Sequence, residues 1–359
     1  MSEAGPIWRE PVRGFYADPH LLARPGLAAL EAFSDGHQLP PPIHYLSGLT
    51  FEAAAAGTAR FSMPASRWLL SAQGLISGAT LALLVDGPLG CAVQTRLPQA
   101  TPYSTAELSL SFLRPVNDRS GVLVGTARSV HAGRTVGLAE ADVIDGGGRR
   151  VAVASTRCAV LPRIELPEGF ASEPLPEPVE PAWDTPHPYL RPAVGAIQPQ
   201  EVFDRLSGLD VLGGCVSGQV ARPPLAHLFG VRPVSAEAGS SEWTMPASEW
   251  LCAPVPGRLY GGATAMIAGL AVEGSIETTV PAGTAFATVD LKVYFVRPVM
   301  PDGRDLRARG TVVHRGRTVA VATSEVLDAD GRQVAVATGS GLLLPGRPAA
   351  LAEPSGLSD

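Results

Sequence analysis

One carboxylate stands alone in an apolar run. Between Ser77 and Gln94 the only charged residue is Asp86, in a stretch dominated by alanine, leucine, valine and glycine. A carboxylate is rarely taken out of water without a partner or a task. In apolar surroundings it can serve as a nucleophile or as a general base. The competing structural reading is local: Asp86-Gly87-Pro88 marks a kink, because Pro88 cannot take a normal interior helix position. Asp86 then satisfies backbone groups that the kink frees.

Other chemistries find no support. Cys91, Cys158, Cys215 and Cys252 show no paired spacing and no histidine at metal-ligand distance, so free thiols in a reducing compartment are expected. There is no phosphate-binding glycine loop, dinucleotide fingerprint, Ser-His-Asp set or zinc spacing. A net charge of −6 argues against nucleic acid or an anionic membrane held by bulk charge. The longest apolar stretch, Leu259 to Val272, falls short of the roughly 20 residues of a membrane span. Met1 to Gly14 has no apolar run and reads as no signal peptide. A cytoplasmic protein without metal or organic cofactor is expected.

The elements that position Asp86 occur twice. Ser111-Phe112-Leu113-Arg114-Pro115-Val116 returns 183 residues later as Tyr294-Phe295-Val296-Arg297-Pro298-Val299. Val130-His131-Ala132-Gly133-Arg134-Thr135-Val136 returns at the same offset as Val313-His314-Arg315-Gly316-Arg317-Thr318-Val319, and Val151-Ala152-Val153-Ala154 as Val334-Ala335-Val336-Ala337. Met63-Pro64-Ala65-Ser66 matches Met245-Pro246-Ala247-Ser248, and Pro41-Pro42 with Leu46 matches Pro223-Pro224 with Leu228. An ordered series of this kind marks an internal duplication. The expected division is an N-terminal repeat over 1–162, a proline-rich linker over 163–200, a C-terminal repeat over 201–345 and a tail over 346–359. The linker composition predicts a stiff, extended segment.

Within one repeat, Gly48 to Met63 reads as strand, turn and strand. Leu75 to Val93 is apolar on every face, the mark of a helix buried on all sides. Ala106, Leu108, Leu110 and Phe112 then alternate with Glu107, Ser109 and Ser111, the period of a half-buried strand. Three strands follow over Val122 to His131, Thr135 to Ile144 and Arg149 to Leu161, with hairpin turns at Ala132-Gly133 and Gly146-Gly147-Gly148. The fold class is α+β, with a buried helix followed by an antiparallel meander in each repeat.

That order, with its aliphatic-Arg-Pro-Val strand end and Val-His-x-Gly-Arg hairpin, resembles the PaaI-like acyl-CoA thioesterases of the hot-dog superfamily. The resemblance covers both repeats. It implies two hot-dog folds in tandem, each a curved antiparallel sheet wrapped around a buried helix. The two are related by a pseudo-twofold axis, so that one chain supplies the dimer that is the family's working unit. It also implies an acyl-CoA substrate and further pairing of double hot dogs into homo-oligomers.

The family pattern is His-Gly-Gly opening the buried helix, with Asp or Glu nine residues after the histidine. Counting back from Asp86 gives Ser77-Gly78-Ala79; the aligned residues of the second repeat are Tyr260-Gly261-Gly262, and Gly269 stands where Asp86 would. The histidine is in neither copy and the carboxylate in one. A thioester carbonyl gains negative charge when attacked, and the free N–H groups of a helix's first turn can stabilise it. Because hot-dog dimers take the two parts from opposite subunits, the resemblance pairs Asp86 with Gly261 and Gly262 and leaves the reciprocal site, Gly78 facing Gly269, without a carboxylate.

Thr105, where similar thioesterases carry a hydroxyl that holds water, and its counterpart Thr288 complete the candidates, against the plain reading of strand threonines. The implied catalytic set is Asp86, Gly261 and Thr105, with Gly262, Tyr260, Ser77, Gly78 and Thr288 against the substrate. The family's amide helper falls on Ser71 and Pro254, so it is weakened or missing. Glu273, one helical turn beyond Gly269, can offer a displaced carboxylate, although a solvated or capping glutamate is the plainer reading. His131 with Arg134, and His314 with Arg317, could meet the phosphates of coenzyme A, against solvated turn residues. Two readings follow: hydrolysis of an acyl-CoA thioester at one composite site, or a degenerate module that binds acyl-CoA without cleaving it.

Overall fold

The computed structural model describes residues 6–170, 175 and 177–349. The first repeat comprises α1 (Gly26–Ser34), α2 (Pro42–Ser47), β1 (Thr50–Ala55), β2 (Thr58–Pro64), α3 (Gly78–Gln94), β3 (Tyr103–Phe112), β4 (Val122–Ala132), β5 (Val136–Ile144) and β6 (Arg150–Val160). The second comprises α4 (Gln200–Arg205), α5 (Gly208–Ser217), α6 (Pro224–Phe229), β7 (Arg232–Glu237), β8 (Ser240–Pro246), α7 (Gly261–Glu277), β9 (Thr284–Phe295), β10 (Asp305–Arg315), β11 (Val319–Leu327) and β12 (Gln333–Pro345). The long helix and the strands fall where periodicity predicts them. The short helices α2 and α6 explain the repeated Pro-Pro pair. Pro42 and Pro224 take the first helical position, where a missing N–H costs nothing, and Gly48 and Gly230 end the helices at φ 78° and 71°.

Among the described residues twelve strands form one antiparallel sheet, in the order β1-β2-β4-β5-β6-β3-β9-β12-β11-β10-β8-β7. The repeats meet at β3 and β9, where Glu107 pairs with Tyr294, Ser109 with Lys292 and Ser111 with Asp290. Ser109 and Lys292 are equivalent positions of the two repeats, so the pseudo-twofold axis passes between them. Joining two edges this way leaves β1 and β7 as the outer strands and removes two open edges from solvent.

Helices α3 and α7 pack side by side on one face of this sheet. Their antiparallel sense follows from their contacts: Gly262, at the start of α7, lies against Ala82 and Leu83, while Ala79, at the start of α3, lies against Gly269. Helix α3 continues through Pro88 to Gln94.

The register of β3 departs from simple alternation next to the site. In β3 the pairing with β6 shifts between Thr105 and Glu107, which makes Ala106 the extra residue of a β-bulge. Ala106 therefore does not belong to the inward-facing series of Leu108, Leu110 and Phe112. The bulge brings Thr105 onto the same face as Leu108, three positions away, which strict alternation forbids. The counterpart shift in β9 skips Val289 and turns Thr288 onto the helix face.

Glu107 faces the opposite side of the sheet and is buried there, paired with Arg157 at 2.8 Å and with Lys292 of the other repeat at 3.4 Å. The segment between the repeats is tied down by the N-terminal stretch: Arg13 donates to the Thr185 carbonyl at 2.7 Å, and Arg191 pairs with Glu10 at 2.7 Å.

Candidate active site

The site grows from an uncapped helix. Tyr260 precedes α7 and offers its first turn no side-chain acceptor, so the orphan N–H groups need partners from elsewhere. The Ala263 and Thr264 amides turn back onto the Tyr260 carbonyl at 3.1 and 3.3 Å. The Gly262 amide crosses to the other repeat and donates to Asp86 Oδ2 at 3.0 Å. The N–H of Gly261 is thereby left as the first-turn donor without a protein acceptor among the described residues.

Asp86 is 6% exposed. Its second oxygen, Oδ1, accepts from Thr105 Oγ1 at 3.1 Å, which is what the bulge at Ala106 makes geometrically available. The surrounding groups are neutral: Cys91, Cys158, Tyr103 and Tyr260. Burial without a nearby cation pushes the Asp86 carboxyl from 3.8 up to about 6, and the two hydrogen bonds pull in the opposite direction without cancelling it. Both bonds come from donors outside α3. Asp86 therefore does not serve the backbone around Pro88, and the Tyr260 hydroxyl donates to the Leu83 carbonyl at 3.0 Å. Tyr260 is thus buried between the helices, its hydroxyl committed to α3, where open cleft lining was expected.

Glycine at 261 has a direct steric reason. A Cβ there would stand 2.7 Å from Asp86 Oδ2, and one at 262 would stand 2.7 Å from the Ala82 carbonyl oxygen. The two glycines allow the helix start and the carboxylate to meet without an intervening side chain.

The reciprocal position is not empty of carboxylate, contrary to the expectation from Gly269. Glu273 is 8% exposed and accepts from the Ala79 amide at 3.0 Å and from Thr288 Oγ1 at 2.9 Å. Ser77 caps α3, accepting from the Thr80 amide at 3.3 Å, and its hydroxyl also serves Glu273. Burial raises the Glu273 carboxyl as well. Gly269 itself leaves no room for a carboxylate, because a Cβ there would stand 2.7 Å from the Ala79 Cβ.

The candidates thus fall into two groups: Asp86, Thr105, Tyr260, Gly261 and Gly262 in one, and Ser77, Gly78 and Thr288 around Glu273 in the other. Among the described residues Ser71 bonds through its backbone to Gly74 and Leu75, and Pro254 through its carbonyl to Ala17. An amide the alignment did not indicate, Gln73, donates to Glu277 at 2.8 Å. The sequence carried a signal for Glu273: Asp86 and Gly90 of one helix exchange character with Gly269 and Glu273 of the other, at one-turn spacing. His131 and His314 are exposed on hairpins. Among the described residues no cluster of metal-ligating side chains occurs, and no helix is long and apolar enough to cross a membrane.

Comparison with known proteins gives this arrangement a family. The thioesterase superfamily model matches residues 256–335, and the model of the acyl-CoA thioesterase C-terminal domain matches residues 26–160. A Halobacterium salinarum protein, provisionally named an esterase, is 33% identical over 122 residues, covering 33% of this chain and 76% of that protein. The chain belongs to the thioesterase superfamily. This thioesterase-superfamily chain is accordingly a hydrolase of the thioester-cleaving class, and its match to one family model in each half agrees with the duplication. Solved structures agree on the fold. A hot-dog protein of unknown function from Alicyclobacillus acidocaldarius superposes with a TM-score of 0.52 at 15% identity, covering 84% of this chain and 97% of that one. A tesB protein of Mycobacterium avium superposes at 0.50 and 14% identity, covering 85% and 98%. The architecture is a tandem double hot dog.

Proposed function

We propose that this protein hydrolyses an acyl-CoA thioester at a composite site in which Asp86 of the first repeat faces the α7 start of the second. The observation that carries the reading is the pairing of a buried, weakly acidic carboxylate with helix N-terminal donors across the repeat interface. Asp86 takes a proton from water, the water oxygen bonds to the thioester carbonyl carbon, and the carbonyl oxygen becomes negative. The Gly261 N–H, at the positive end of α7, stabilises that charge. As the C–S bond breaks, the thiolate leaves and receives the proton from Asp86, giving a carboxylic acid and free coenzyme A. Thr105 orients the carboxylate and shares the water.

The coenzyme A preference is supported by the family model matched over 26–160. The test is turnover of an acyl-CoA panel, read by thiol release, with wild type beside Asp86→Asn. Loss of a general base is expected to lower kcat/KM by about 100-fold. Undiminished activity in Asp86→Asn ends the assignment of Asp86. A wild-type protein that binds acyl-CoA but turns none over establishes instead the non-cleaving binding module.

A further inference from the structure

The two repeats solve the same problem with differently placed acids. At the position equivalent to Asp86 the second repeat must have glycine, because the start of α3 presses on Gly269. Side chains on a helix lean toward its N-terminus. A glutamate one turn later, with one more methylene, therefore reaches back to the place an aspartate at 269 would occupy. Glu273 does so: it meets the Ala79 amide, the equivalent of the Gly262 amide, and the Thr288 hydroxyl, the equivalent of Thr105. In the first repeat the position equivalent to Glu273 is Gly90, and the Tyr103 hydroxyl fills the space beside it. Carboxylate, hydroxyl and first-turn amide thus recur as a set on the opposite side of the pseudo-twofold axis.

The parallel extends to the first donor of each helix. Gly262 and Ala79 are both committed to a carboxylate, and the amides of Thr80 and Leu81 turn back onto Ser77, as those of Ala263 and Thr264 do onto Tyr260. The Gly78 N–H is left in the role of the Gly261 N–H. Resting on the reading of Asp86 above, we propose that Glu273, with Thr288 and the α3 start at Gly78, forms a second thioester-cleaving site in the same chain. The step balances as at the first: Glu273 accepts a proton from water, the water oxygen bonds to the carbonyl carbon, the C–S bond breaks, and the proton passes from Glu273 to the departing thiolate. The second site is the slower one. Its carboxylate carries a third donor in Ser77, and Ala79 places a methyl group where the first site has Gly262.

Thiol release by wild type, Asp86→Asn, Glu273→Gln and the double variant tests this, with thermal melting as a folding control. Asp86→Asn is expected to keep a residual rate, which Glu273→Gln in that background lowers by a further ten-fold or about that. Thr288→Val in the same background is expected to lower it too, and decides the matter if Glu273→Gln does not fold. Calorimetry with a non-hydrolysable thioether of coenzyme A is expected to give two molecules bound per chain. A residual rate unchanged by both Glu273→Gln and Thr288→Val, no residual rate in Asp86→Asn, or one molecule bound per chain overturns the second site while leaving the first standing. Wild-type rates in Asp86→Asn that vanish in Glu273→Gln do the reverse.

Discussion

The carboxylate of Asp86 accepts the backbone N–H of Gly262 at 3.0 Å, so one repeat supplies the acceptor that the other repeat's buried helix lacks. The contact joins function to assembly: the group assigned to the chemistry also caps α7 across the interface.

The cap is costly when ionised. Folding raises the Asp86 carboxyl from 3.8 to about 6. The folded state therefore binds more protons than the unfolded state between those values, and stability falls as pH rises through the window. At about 1.4 kcal/mol per pH unit the cost reaches roughly 3 kcal/mol above pH 6. Asp86→Asn can keep both bonds, accepting from Gly262 and donating to the Thr105 hydroxyl. It is expected to raise the melting temperature at pH 7.5 and to raise it much less at pH 4. A variant that melts lower than wild type at pH 7.5 shows the ionised carboxylate to be net stabilising instead.

The same titration sets the rate. A general base works as the carboxylate, so kcat/KM is expected to rise with pH and level off above about 6, the value to which burial pushes Asp86. A profile flat from pH 4.5 to 8 would exclude Asp86 as the titrating base. A single turnover in ¹⁸O-water is expected to place the label in the released acid and none in Asp86; label recovered in Asp86 shows direct attack by the carboxylate instead.

Glycine-to-valine changes separate the helix starts by mechanism. Gly261→Val drives its Cβ toward Asp86 Oδ2, at 2.7 Å, and is expected to cost about 100-fold or more in kcat/KM with a modest loss of stability. Gly78→Val drives its Cβ into the ring of Phe112 and is expected to lower the melting temperature as well. If Gly261→Val turns over normally, the approach to the Gly261 amide is not part of the reaction path.

Removing the hydroxyl at 105 tests positioning. Thr105→Val keeps shape and loses the 3.1 Å bond to Asp86 Oδ1. It is expected to lower kcat by about ten-fold and to move the midpoint of the pH–rate profile upward, because one of the two bonds that favour the ionised form is gone. An unmoved midpoint assigns Thr105 to the strand alone.

Gly269→Asp, which restores the family's residue by alignment, is expected to fail as a gain of function. Its Cβ meets Ala79 at 2.7 Å, and the protein should melt lower without added turnover. Added turnover would show that α3 can move away from α7.

Much of this was legible in the residues themselves. The duplication fixed the number of folds, the all-apolar run fixed a buried helix, and the lone Asp86 marked the residue to watch, because burying a charge is expensive enough to be rare. What the sequence could not carry was distance. Aligning one repeat on the other sets Asp86 against Gly269 and declares the second carboxylate lost. The packed helices show that contact with the Ala79 methyl group forbids a side chain there, and that Glu273 leans back by one turn to the amide of the same residue. Strict alternation likewise put Ala106 on the inner face, whereas a bulge, which depends on pairing with another strand, put Thr105 there instead. Identity and period along a chain are local properties; which helix turn meets which depends on close packing between segments 180 residues or so apart, and only the folded molecule decides it.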